Sequence, residues 1–133
     1  MKVLEKTVEL GEKSFKVRAN RDIAVKSFEE YPEVLEYIVK QQNKGEQDIV
    51  ALVKGKGLSE LFRVNEQIAK LVEFALPLML REAKDTANAK TIIKYAKDNG
   101  VLEQFNAGIL EFIAEGFTQG ELANKPKIKF SMK

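Results

Sequence analysis

Apolar positions along this chain fall first into a strand rhythm and then into a helical one. Leu4, Val8 and Leu10 share one parity, while Glu5, Thr7 and Glu9 take the other. Phe15, Val17 and Ala19 then alternate with Lys16 and Arg18. A period of two marks a half-buried strand, so Val3 to Leu10 and Ser14 to Ala19 read as a β-hairpin. Gly11-Glu12-Lys13 supplies the turn, and Gly11 can take the positive φ that tight connections need. Two strands alone are marginal in water, so the hairpin's apolar face must pack on helices or gain a third strand.

From Asn20 the spacing changes to steps of three and four. Asn20 reads as an N-cap with Asp22 in the first turn. Ile23, Ala24, Phe28, Tyr31, Leu35 and Ile38 form one stripe that runs to about Lys40. Pro32 falls within it, giving either one kinked helix or two segments with Pro32 opening the second. The unbroken stripe slightly favours two nearly collinear segments. QQNKGEQ (Gln41 to Gln47) is a polar break. The apolar run inside Asp48 to Lys54 is too short to separate strand from buried helix.

The longest periodic stretch is Ser59 to Ala83, SELFRVNEQIAKLVEFALPLMLREA. Leu61, Val64, Ile68, Leu71, Val72, Ala75 and Met79 share one helical face, with Ser59 as the expected cap. Phe74, Leu76, Leu78 and Leu80 make the far end apolar nearly all round, so several neighbours must cover it. Pro77 should bend or break the helix there. A helix from about Ala89 to Asp98, capped by Thr86 or Asn88, buries Ile92, Ile93 and Ala96 and shows Lys90, Lys94 and Lys97. Asn99-Gly100 stops it. Val101 to Phe117 forms the last helix, with Phe105, Ile109, Phe112 and Ile113 inward and Glu103, Glu111 and Glu115 making an acidic outer face. Gly108 costs that helix about 1 kcal/mol against alanine, a cost tolerated where another backbone comes close.

The fold expected is α+β and mostly α: an N-terminal β-hairpin packed on a bundle of four or five helices, with room for a C-terminal edge strand. One domain spans residues 1–124, followed by a basic-apolar tail over 125–133. In the tail, KPKIKFSMK, Ile128, Phe130 and Met132 alternate with Lys127, Lys129 and Ser131, and Pro126 confines it to an edge or to no sheet at all. Three arrangements stay open. The tail adds to a partner's sheet or another copy's hairpin, returns to its own hairpin as a third strand, or is a disordered solubilising end.

Composition narrows the function. The 133 residues are 44% hydrophobic and 32% charged, in the range of a single globular domain. The longest apolar run, Phe74 to Leu80, is far short of the roughly 20 residues that span a bilayer. The opening MKVLEKTVEL has acids too early for a signal peptide, so a cytoplasmic location is expected. With no cysteine and no histidine, thiolate sites and the commonest general base are missing. No catalytic motif, cofactor site or metal site is legible, and an enzyme is not expected. VKGKGLS (Val53 to Ser59) lacks the spacing of a phosphate loop.

The net charge of +2 hides an asymmetry. Taking Lys125, Lys127, Lys129 and Lys133 from the 22 Lys and Arg leaves 18 against 20 Asp and Glu, a body charge of −2. That weakens the main rival reading, a small helix-turn-helix DNA-binding protein. IIKYAKDNGV places Ala96, Gly100 and Val101 as in that motif, yet Asn106 stands where a core aliphatic belongs. The second helix is acidic, whereas phosphate neutralisation supplies much of DNA affinity.

A hairpin reading VELGEKSFKVRAN, a capped helix RDIAVKSFEEY and helices around FALPLMLREA together resemble the tail assembly chaperones of long-tailed, siphovirus-type bacteriophages. The likeness covers most of the chain in layout, and no functional residue carries over from it. It implies a non-enzymatic viral protein of the infected bacterial cytoplasm, absent from the mature virion. Its partner would be the tape measure protein, with the tail tube protein as a further candidate. It would keep long apolar helices from aggregating during tail assembly, and self-association is expected. Such a holdase needs apolar surface beyond its own core. Leu76, Leu78 and Leu80 are the partner-binding candidates on the central helix if they prove exposed. Lys127, Ile128, Lys129, Phe130 and Met132 are the candidates in the tail.

Overall fold

A computed structural model describes residues 3–42, 58–117 and 127–130, with side-chain surroundings for 3–39 and 64–117. The apolar run 48–54, the Lys56 stretch and Met132 lie outside these residues. The chain is α+β and mostly helical, with five helices and three strands among the described residues.

Strands β1 (Leu4–Leu10) and β2 (Lys13–Ala19) form the antiparallel hairpin, in the register Leu4↔Ala19 to Leu10↔Lys13. Gly11 opens the two-residue turn at φ 60°, as a type II′ connection requires of its first central residue. The pleat then sorts the side chains. Val8, Leu10, Phe15, Val17 and Ala19 are buried, while Glu5, Ser14 and Lys16 are exposed. Glu5 and Arg18, directly opposite in the register, pair on the outer face at 2.7 Å.

Helix α1 (Arg21–Glu30) starts on Asn20, whose Oδ1 accepts the Ile23 N–H at 2.9 Å. It stops at Tyr31, and α2 (Pro32–Gln42) begins on Pro32 itself. There are thus two helices, with proline at a first position where its missing N–H goes unneeded.

Helix α3 (Leu58–Glu82) runs unbroken through Pro77. It begins one residue before Ser59, so that serine lies inside it, a shift within the usual uncertainty of helix ends. Val64, Ile68, Leu71, Val72, Ala75 and Met79 are all buried, as the stripe predicts. It ends with Lys84 at φ 58°, with Lys84 N–H donating to Arg81 O and Asp85 N–H to Leu80 O. This is a Schellman stop built on a non-glycine residue.

Helix α4 (Ala89–Asp98) is capped by Asn88 through the Thr91 N–H. It closes on the same motif in its usual form, with Gly100 at φ 72° and Val101 N–H donating to Ala96 O. Helix α5 (Leu102–Phe117) follows, burying nine of its 16 residues. Near its end comes a close backbone approach. A Cβ at Gly116 would lie 3.0 Å from Ala19 Cβ and 3.2 Å from both N and O of Asn20.

The tail returns. Strand β3 (Lys127–Phe130) lies parallel to β1, from Thr7↔Lys127 to Leu10↔Phe130, giving the order β2-β1-β3. The segment is therefore an edge strand of the chain's own sheet, and β1 becomes the central strand.

Candidate partner-binding surfaces

The apolar far end of α3 does not face outward. Leu76 is 0% and Leu80 3% exposed, so neither meets the condition of exposure on which it became a candidate. The cause is the number of neighbours. Helix α3 packs against β2, α1, α2, α4 and α5, which together cover its apolar sides. Leu78 is half-buried. Phe74 is also half-buried and meets Tyr31 edge-on at 6.2 Å between ring centroids.

The tail candidates Lys127, Ile128, Lys129 and Phe130 occupy the register positions opposite Thr7, Val8, Glu9 and Leu10. Between a partner's sheet and the chain's own, the structure gives the segment to the chain's own. The far margin of β3, the last strand in the order, is where a further extended segment could add.

The acidic outer face expected on α5 needs a correction. Glu103 is exposed and Glu111 half-buried, but Glu115 is buried. Its Oε2 lies 2.8 Å from Nζ of Lys6, with the two side chains only 8% and 9% exposed. The two atoms are close without the alignment of a hydrogen bond, so the contact is one of charge. The Lys6 ammonium also sits over the Phe112 ring, 5.1 Å from its centroid. One signal for this pair was present in the sequence: Lys6 shares its parity with Val8 and Leu10, so a formed hairpin must point it inward. Desolvating a lysine is costly unless an opposite charge waits there.

Two surface features remain. Phe117, 37% exposed at the end of α5, packs edge-on against Phe28 at 6.2 Å and under the Arg21 guanidinium at 5.6 Å. A groove of about 250 Å³ separates α3 from α5, lined by Asn65, Glu66, Ile68 and Ala69 on one wall and Leu102, Glu103 and Asn106 on the other. Its lining is predominantly apolar, with the two glutamates at its margin. Asn106 is the residue that stood out in the sequence as a polar side chain in an aliphatic's place. It is only 8% exposed.

Among the described residues no cluster of three or more acids could hold a metal ion, and no helix is long and apolar enough to cross a membrane. Comparison with protein-family models, with curated proteins and with solved structures finds no match to this chain.

Proposed function

We propose that this protein is a non-enzymatic assembly chaperone of the phage-tail type. It binds the tape measure protein, with the tail tube protein as a second client, in the cytoplasm of the infected cell, and it is left out of the finished virion. The observation that carries this reading is the sheet margin. A short edge strand of alternating Lys and Ile/Phe lies parallel to the central strand, and an extended client segment could extend that sheet or displace the strand from it. A hairpin followed by a capped helix and a helical bundle is also the layout of the family that the sequence resembles.

The DNA-binding alternative has less behind it. Ala96 and Val101 are buried as a helix-turn-helix would have them, yet α5 contains no lysine or arginine to neutralise phosphates. The cations Lys90, Lys94 and Lys97 are all on α4, and Lys94 pairs with Asp98 at 3.2 Å.

Co-expression tests the proposal. A tape measure protein encoded beside this chain should shift from the insoluble to the soluble fraction and co-purify with it. A variant lacking Lys125 to Lys133 should lose much of that effect. A client that stays insoluble and unbound beside folded, full-length protein would refute the reading, and salt-dependent retention on DNA at micromolar protein would replace it with the alternative.

A further inference from the structure

We infer that the far margin of β3 takes an extended partner segment in which acidic and apolar residues alternate, joined as a fourth strand with its acids beside Lys127 and Lys129. The inference rests on the reading of that margin as the client site and narrows it, since the segment extends the sheet and leaves β3 in place.

The backbone sets the geometry. The Lys16 N–H leaves the hairpin to meet Asp85 at 2.8 Å, so Lys16 and its register partner Thr7 form a wide pair without the double hydrogen bond. Thr7 and Glu9 therefore turn their N–H and C=O groups to the other side of β1, toward β3. In the parallel register those groups are met by Ile128 and Phe130. The N–H and C=O groups of Lys127 and Lys129 are left to the far margin. In the order β2-β1-β3 it is β3 that ends the sheet on this side. On the other side β2 packs against α3, and Asp85 accepts its Lys16 N–H.

Charge selects the partner. Across the rows of the sheet the strands alternate in sign: β2 brings Lys16 and Arg18, β1 brings Glu5 and Glu9, and β3 brings Lys127 and Lys129. Arg18 and Glu5, opposite each other, pair at 2.7 Å, so neighbouring strands do match their charges. The row through Thr7 is the exception. It reads Lys16, Thr7, Lys127, with two cations and no acid. A fourth strand with acids in these rows continues the alternation and supplies the missing one. The row between them runs Phe15, Val8, Ile128, with Phe15 and Val8 buried, so the residue between the acids is apolar. A second copy's β3 does not fit, because it would set lysine against lysine, the arrangement by which edge strands avoid joining one another.

Fluorescence anisotropy of two labelled peptides, with the full chain in low salt, tests this. Each peptide has about six alternating residues, the usual strand length, with valine between glutamates in one and between lysines in the other. The glutamate peptide should bind and the lysine peptide should not. Lys127→Glu with Lys129→Glu should reverse that preference. The neutral pair Lys127→Gln with Lys129→Gln should weaken binding of the glutamate peptide about fivefold or more. Circular dichroism melts show that each variant is folded, and the wild type alone already decides between the peptides. A glutamate peptide held equally by wild type and a folded double variant would overturn the assignment, placing the peptide on other lysines. So would binding of neither peptide, or a preference for the lysine peptide, which would mean that the segment replaces β3 on β1. Co-expression separates this inference from the chaperone reading. A client kept soluble by the folded charge-reversed variant sinks the inference alone. A client left insoluble beside protein that binds the glutamate peptide sinks the chaperone reading alone.

Discussion

Helices α3 and α5 supply half of the buried apolar residues between them, yet they reach burial from opposite directions. Helix α3 carries more apolar surface than one face can hold, and five neighbouring elements cover the surplus. Helix α5 carries a charge, Glu115, on its packing face, and Lys6 from β1 pairs with it. The first case is non-directional, because any apolar neighbour will serve. The second is directional, since the Glu115 carboxylate is met by a cation from one particular strand position. The comparison separates what drives the chain to collapse from what can set the placement of the hairpin on the bundle.

The sharpest way to break that contrast is at Lys6. Lys6→Met keeps an apolar chain of similar length but removes the ammonium that lies beside Glu115 and over the Phe112 ring, and should cost about 3 kcal/mol in urea unfolding. Combining it with Glu115→Met should restore most of the loss, because apolar replacement of a buried pair is often neutral or better. A double variant as unstable as the single one would show that the pair is not the reason for the loss. On α3, Leu76→Ala should cost about 2–5 kcal/mol by leaving a cavity among its neighbours. A loss below about 0.5 kcal/mol, the range of surface positions, would mean Leu76 is exposed after all.

Smaller effects refine the packing at the helix ends. Gly116→Ala forces a methyl to within 3.2 Å of Asn20 backbone atoms, which flexible side chains cannot relieve, and should cost about 1–3 kcal/mol. The smallest change is a gain. Lys84→Gly removes the penalty for a left-handed non-glycine residue and should raise stability by about 0.5–1 kcal/mol, seen as a higher thermal midpoint. Asp85 beside it should be left alone. Its carboxylate accepts the Lys16 N–H of the outer strand at 2.8 Å and the Ala87 N–H at 2.8 Å, tying the free margin of β2 to the α3–α4 connection.

The legible parts of the fold were those decided within a few residues. Asn20 and Asn88 cap helices because a short side-chain oxygen can reach an N–H three residues on. Gly11 and Gly100 take positive φ because nothing larger does so cheaply. Of the candidate surfaces, the tail's alternation and Pro126 left its own edge strand as one of three arrangements and said nothing of its direction. A parallel pairing across more than a hundred residues leaves no trace in local spacing. Leu76 and Leu80 could not be placed from spacing for a related reason, since a helix apolar all round looks the same whether a client or its own fold covers it. The α3–α5 groove was foreshadowed only by Asn106, a polar residue at a core spacing.

By itself, then, the sequence determined a hairpin, a bundle of four or five helices and the stripes by which they pack, because periodicity and capping act over one turn or one pleat. The tertiary structure alone decided that Pro77 would sit inside a continuous helix, that Glu115 would turn inward to Lys6, and that the tail would close the sheet on β1. Each depends on which distant surface arrives opposite a residue. Burial energy rewards any apolar arrival, so only the assembled neighbours can choose among them.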